Sequence, residues 1–295
     1  MKSLTRDDYL RRIDRVVAML QQAVTSHAEL PDLTELAGAA QFSPFHFHRI
    51  YRALTGETVG RTVARLRLLR ALQLLADPRQ AVTDAALAVG YETPQALARA
   101  FRQALDASPS ELRAQPARLA SELARLSRAA GGRDASASLL QVEVVSLEPF
   151  SLIATRNTGD DADLAVAYEA LFGWAAQRGL VERVVGIYGV PWRDRRDTSA
   201  VECEFDCALA FDGEVAAGDG TSPLVLGGGQ WAWLRHVGPY AGLEPLTDAL
   251  LADWLPGSGY ALRDEPLFHH YLDDPEQTPE AVLRTDVYLP VSALP

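Results

Sequence analysis

The chain of 295 residues has little cysteine, only Cys203 and Cys207, and no run of about 18 apolar residues. The first scarcity excludes a disulfide scaffold. Four residues apart in a probable strand, the two thiols point to one face, where a bridge is geometrically disfavoured and a metal would lack further ligands. Both are expected to be reduced and buried. The second absence excludes a transmembrane helix. The first twenty residues carry Lys2, Arg6, Asp7, Asp8, Arg11, Arg12, Asp14 and Arg15, which suits an amphipathic helix rather than a signal peptide, so a cytoplasmic location is expected. Also missing are a Ser-His-Asp order, zinc-ligand spacing and a glycine-rich phosphate loop. No catalytic residue, metal or cofactor is therefore expected, and the chain is not expected to be an enzyme.

What is present is asymmetric. Hydrophobic residues make up 48% and the net charge is −11. Residues 1–118 hold sixteen Lys and Arg against twelve Asp and Glu, a balance of +4, whereas residues 139–295 hold nine against twenty-five, a balance of −16. A mildly basic first third joined to an acidic remainder is a two-domain signature. Apolar spacings of three and four predict an all-helical domain over 1–118. The helical pattern continues from Ala117 to about Arg128, and the linker is expected over 119–138, with its small, polar part at Ala129–Ser138. Alternating runs such as Val142–Leu147 and Trp231–Val237, with helical stretches near Ala167–Arg178 and Leu243–Trp254, predict an α+β domain over 139–295.

Each part contains an internal repeat. In the helical part, Leu33–Phe42 parallels Val82–Tyr91, Ser43-Pro44 parallels Thr93-Pro94, and Phe47–Arg52 parallels Leu97–Arg102. In the acidic part, Arg156–Gly159 parallels Arg235–Gly238, Trp174 parallels Trp254, and Phe205-Asp206 parallels Thr285-Asp286. The second set predicts two β-α-β-β units about a pseudo-two-fold axis.

Each helical repeat reads as helix-turn-helix. Asp32 with Glu35 forms a capping-box pattern. Ser43 and Thr93 are expected to cap second helices that begin with Pro44 and Pro94. In the first, Phe47, Ile50, Tyr51 and Leu54 take the core spacing. That leaves Phe45, His46, Arg49 and Arg52 outward, with His48 at the margin. In the second, Leu97, Ala100, Phe101 and Ala104 are expected inward, and Gln95, Arg99 and Arg102 outward. Arg suits guanine, Gln suits adenine and an aromatic suits the thymine methyl in a DNA major groove. A long helix, roughly 61–76, is expected to separate the units, so one chain could reach two successive grooves of double-stranded DNA. Two outward Arg on one helix are commonly just a solvated face; the repetition argues for more.

Pro44–Arg49, Thr55–Thr58, Arg65–Ala71, Val89–Tyr91 and Arg99–Arg102 through Ser108–Ser110 resemble the AraC/XylS family DNA-binding domain over about residues 8–115. The resemblance implies base contacts from Phe45, His46, His48, Arg49, Gln95 and Arg99, with Arg52 and Arg102 on phosphates. Pro94, Ala96 and Ala98 depart from the family's polar positions, so the second unit is expected to add mainly affinity and register.

Arg235–Tyr240, Trp254–Tyr260, Tyr271–Pro275 and Thr285–Pro290 resemble the GyrI-like effector-binding domain over about 140–295. This implies a cleft between the repeats for a small, flat, apolar and often cationic effector. Tyr168, Tyr188, Trp231, Trp233, His269 and Tyr271 are the candidate lining. Trp231 and Trp233 either line the cleft or pack beneath a helix, and His269 is either a ligand group or an interior histidine. The family's buried Glu after the Phe of Pro266–Tyr271 is His269 here. An imidazole supplies no fixed negative charge, so a neutral or weakly acidic ligand becomes as acceptable as a cation. Together these features predict a transcription regulator with DNA, a small-molecule effector and RNA polymerase as partners. The alternative is a domain that hydrolyses or sequesters a reactive small molecule.

Overall fold

The computed structural model describes residues 6–128, 140–159, 162–194, 196 and 203–294. By contacts the chain divides into two units. One comprises Asp8–Gln41 and Tyr51–Asp134; the other comprises Met1–Asp7, Phe42–Ile50 and Ala135–Pro295.

The helical chain runs α1 (Arg6–Ser26), α2 (Leu33–Ala40), α3 (Pro44–Thr55), α4 (Val59–Leu75), α5 (Val82–Ala88), α6 (Pro94–Leu105), α7 (Pro109–Arg113) and α8 (Pro116–Ser127). Local chemistry sets the boundaries. Asp32 and Glu35 close a reciprocal capping box on α2, and Gln41 leaves that helix in the left-handed region. Thr93 accepts from the amide of Ala96 to start α6. A second capping box, Ser108 with Glu111, starts α7. Such caps contribute about 1 kcal/mol each.

The loop after α3 is fixed by a buried carboxylate. Glu57 accepts from Arg65 at 2.7 Å and from the Thr62 hydroxyl at 2.8 Å, and Thr62 in turn meets the Tyr51 hydroxyl at 2.7 Å. This explains the Thr-Gly-Glu-Thr and Arg65 positions of the sequence pattern. Helix α8 corrects the expected boundary at 118. Leu119 and Leu126 join the core of Leu72, Leu97, Phe101 and Leu112, and Arg65 donates to the carbonyl of Leu126 at 3.0 Å. The segment 119–138 is thus helical through Ser127, because its apolar spacing has a core to meet. The expected linker stretch 129–138 lies outside the described residues.

The second fold is one antiparallel sheet in the order β1-β6-β9-β8-β3-β4-β2-β5, with β7 also on β9. Its strands are β1 (Glu143–Ser146), β2 (Phe150–Thr158), β3 (Val184–Pro191), β4 (Glu204–Phe211), β5 (Ser222–Leu226), β6 (Gln230–Val237), β7 (Tyr260–Leu262), β8 (Phe268–Tyr271) and β9 (Arg284–Ala293). The path is a palindrome of repeats. β2-α9-β3-β4 matches β6-α10-β8-β9, and the axis passes between β3 and β8. Helix α9 is Ala162–Gln177; α10 is Leu243–Ala249 and continues as a π-helical turn to Trp254. Register carries the symmetry to side chains. Arg156 lies opposite Asp206, and Arg235 opposite Asp286. Each pair forms a two-bond fork, at 2.7 and 3.0 Å in the first and 2.7 and 2.9 Å in the second. Cys203 and Cys207 are both buried and form no disulfide.

Candidate functional site

The face of α6 follows from its capped start. Leu97, Phe101 and Leu105 are buried, while Gln95, Arg99 and Arg102 are exposed at spacings of four and three. Leu105 completes the inner face, whereas Ala104, expected inward, is exposed. The larger side chain occupies the core-facing position, because it removes more apolar area from water. Three exposed donors in a row can address base edges and phosphates.

Helix α3 differs. Phe47, Ile50, Tyr51 and Leu54 are buried as their spacing predicts, and Phe45 is 37% exposed. His48 and Arg52 are half-buried. His46 and Arg49, expected outward, are only 1% and 4% exposed. The reason is that within its unit the Phe42–Ile50 segment meets backbone carbonyls that cover these two side chains. One Arg49 nitrogen donates to the carbonyls of Pro191 and Arg193 at 3.1 and 3.0 Å. The Nε2 of His46 lies 3.2 Å from the carbonyl of Arg263. The Ser43 hydroxyl bonds to the Asp264 carboxylate. The Phe45 ring packs on Trp192 at 5.8 Å between centroids.

Behind Arg49 lies a charged cluster. Arg196 binds Asp194 at 2.9 Å, Asp248 at 2.8 Å and Glu244 at 3.1 Å. Burial opposes ionisation of Asp194, but the bonds from Arg196 and the charges of Arg49 and Arg196 outweigh it and hold the carboxyl at about 2. Burial also lowers the pKa of Arg49, while the carboxylates of Asp194, Glu244 and Asp248 favour its charge. Burial, reinforced by the Arg49 charge, pushes His46 down to about 4.

On the helix-bearing face of the sheet, a second group gathers at the pseudo-two-fold axis. Strand pairing sets Ile187 opposite Tyr271 and Gly189 opposite His269. Tyr168 of α9 donates to the carbonyl of Tyr188 at 2.7 Å, and its ring lies edge-on to Tyr271 at 6.2 Å. Tyr240, in the turn before α10, meets Tyr271 at 5.3 Å, and His269 lies 6.2 Å from Tyr271. Gly189 permits this approach. A Cβ there would sit 2.5 Å from Phe205 Cζ and 2.8 Å from the Tyr271 hydroxyl. Burial holds the Tyr168 hydroxyl well above its ordinary pKa, and pushes the Cys207 thiol up to about 12. These groups are neutral hydrogen-bonding partners set among aromatic faces. Among the described residues, no group of three or more His, Cys, Asp or Glu could hold a metal ion. No helix among them is long and apolar enough to cross a membrane.

The six residues expected to line one cleft therefore separate. Tyr168, His269 and Tyr271 come together. Tyr188 pairs with His270, stacks on it at 4.4 Å and faces the other side of the sheet. Trp231, 1% exposed, packs on Phe268 at 4.8 Å in that opposite core. Trp233 shares the face of Trp231, with Arg235 over its ring at 5.7 Å. Strand alternation is the cause, since neighbouring residues of β3 and β8 point to opposite faces. Two residues outside the expected set also join these groups. Tyr240 had a signal in the Arg235–Tyr240 motif. Trp192 had none, because its role depends on Asp206, which accepts its Nε1 at 2.7 Å, and on Arg156 over its ring at 5.0 Å.

Comparison with known proteins agrees with both halves. A helix-turn-helix domain family matches residues 36–115, and the GyrI-like small molecule binding domain family matches residues 140–292. The probable transcriptional regulator YgiV of Escherichia coli K12 is 33% identical over 36% of this chain and 66% of its own, so the chain spans about two thirds of that relative's length. A DNA gyrase inhibitor of Erwinia billingiae is 27% identical over 52% of this chain and 98% of its own. The DNA-binding domain of AdpA, solved with a target DNA, is 31% identical over 36% of this chain and 97% of its own, with a TM-score of 0.31. The chain belongs to the GyrI-like small-molecule-binding family, here preceded by an AraC-type helix-turn-helix domain.

Proposed function

We propose that the chain is a one-component transcription regulator, in which the helix-turn-helix domain binds double-stranded DNA and the sheet domain binds a small effector without turning it over. The carrying observation is the capped α6, with Gln95, Arg99 and Arg102 exposed along one face. YgiV, described as a probable transcriptional regulator, lends support. The effector class follows from Tyr168, Tyr240, His269 and Tyr271. Aromatic faces with hydroxyl and imidazole hydrogen-bonding groups, and no carboxylate at the His269 position, suit a flat neutral or weakly acidic molecule. Occupancy of this site biases the DNA-competent population or exposes a surface for RNA polymerase, and a coupling of about 1–3 kcal/mol is enough.

The test selects a duplex from a random-sequence pool with the full chain and measures its affinity by fluorescence anisotropy. Arg99→Ala should weaken the selected duplex by about 1–3 kcal/mol and relax one base preference. Equal weakening on random DNA would remove the base-reading role. A thermal-shift screen of neutral, acidic and cationic aromatics should find a stabiliser, and conversion of that hit by the full chain would replace the sensor with an enzyme.

A further inference from the structure

We propose that the sheet domain stores the reading face of α3 in an autoinhibitory seat, so that Arg49, His46 and Phe45 must leave it before they can meet DNA. The proposal rests on the reading of α3 as a DNA-reading helix, and adds how that helix is controlled.

The geometry makes the two engagements mutually exclusive. Reading guanine requires both outer nitrogens of an Arg to face the base edge. In the seat, Arg49 is 4% exposed and donates to the carbonyls of Pro191 and Arg193. His46 is 1% exposed at the carbonyl of Arg263. The seat also offers the electrostatics of a nucleic acid, with peptide oxygens in front and the carboxylates of Asp194, Glu244 and Asp248 favouring the charge of Arg49. An aromatic platform, Trp192, takes the ring of Phe45, and is itself fixed by Asp206.

The seat is joined to the effector site by chain continuity. Of its two halves, Pro191–Arg193 continues the end of β3, and Arg263–Asp264 follows β7 and leads through a short loop into β8. The same strands carry the Tyr188 carbonyl that receives Tyr168, and the His269 and Tyr271 side chains. From Tyr188 to Pro191 is only about 10 Å of extended chain. A molecule that reseats Tyr168 or Tyr271 therefore moves the strands from which the seat hangs. A site that is competent only part of the time binds with affinity reduced by that fraction.

The experiment uses the full chain with Asp264→Ala, which removes an exposed partner of Ser43, and with Asp264→Ala combined with Trp192→Ala. Phenylglyoxal labelling read by mass spectrometry reports seating without DNA. Arg49 should be protected in the parent while Arg99 reacts, and protection should fall about tenfold in the variants. Equal reactivity of Arg49 and Arg99 in the parent overturns the proposal. In the DNA arm, a duplex selected by the double variant should bind that variant about tenfold more tightly than the parent. A Ser43→Cys, Asp264→Cys pair should lose affinity for that duplex on oxidation and regain it on reduction. Unchanged affinity in folded variants, together with an oxidised pair that still binds DNA, also overturns it. Failure of the DNA-reading assignment is seen separately, as Arg49→Ala added to the double variant without effect on its selected duplex while Arg49 protection persists in the parent.

Discussion

Replacing Gly189 by alanine tests the packing around Tyr271 and Phe205 at the pseudo-two-fold axis. The added methyl would stand 2.5 Å from Phe205 Cζ, 3.0 Å from Phe205 Cε1 and 2.8 Å from the Tyr271 hydroxyl. Ordinary carbon contacts are about 3.5–4.0 Å, so a ring must retreat by roughly an ångström. Neither backbone can yield easily, since Gly189 is paired with Cys207 on one side and His269 on the other. Phe205 is 6% exposed and packs beneath α9, which leaves it little room. Overpacking of this kind costs about 1–3 kcal/mol. For a domain of this size that lowers the melting temperature by roughly 2–10 °C. Phe205→Leu should cost stability alone yet relieve the clash in the double variant, giving a favourable coupling of about 1 kcal/mol or more. Urea unfolding of the four proteins followed by circular dichroism gives the cycle. A neutral Gly189→Ala, or additive effects with Phe205→Leu, would refute the claim that glycine is required for the approach of Tyr271 and Phe205.

Three further outcomes are expected. Asp206→Ala should destabilise more than its pseudo-symmetric counterpart Asp286→Ala, by about 1 kcal/mol in urea unfolding, because Asp206 also accepts from the Trp192 indole; equal losses would deny Trp192 that anchor. Thr93→Ala should cost about 1 kcal/mol by removing the α6 cap, with Thr93→Ser near neutral, and a silent Thr93→Ala would contradict the cap. The seat of α3 should loosen in acid. His46, facing Arg49, Asp264 and the backbone of Arg263 and Glu265, is held at about 4 when seated against an ordinary 6.5. A depressed histidine favours the seated form fully above pH 6.5 and loses that preference as pH falls toward 4, so a drop from pH 7.5 to 5.5 should weaken seating about tenfold. Hydrogen exchange of the Phe42–Ile50 segment, corrected for intrinsic rate, should show this in the parent and not in His46→Gln; matching profiles would count against the titration.

Much of the architecture was legible because it is written in local rules. The capping box at Asp32 and Glu35, the Thr93-Pro94 helix start and the core spacing of Leu97 and Phe101 each depend on residues a few positions apart. The repeats carried further, and the Arg156–Asp206 and Arg235–Asp286 parallels became two matching forks across neighbouring strands. Composition placed the acidic, tryptophan-bearing part in a separate α+β domain. The helical pattern from Ala117 to about Arg128 is legible in the sequence, but amphipathic spacing does not itself reveal that a core awaits Leu119 and Leu126.

What tertiary structure alone decided concerns residues distant in sequence. Alternation told which residues of β8 share a face, but not that Tyr188 registers with His270 while Gly189 registers with His269. That register puts Tyr188 on the face opposite His269 and Tyr271. The pairing of β6 with β9 places Trp231 and Trp233, and the turn before α10 brings Tyr240 to Tyr271. Helical periodicity told which residues of α3 leave the core, and His46 and Arg49 do leave it. Whether such residues meet water or another surface is not encoded by period, since it depends on carbonyls of Pro191, Arg193 and Arg263 more than 140 residues away.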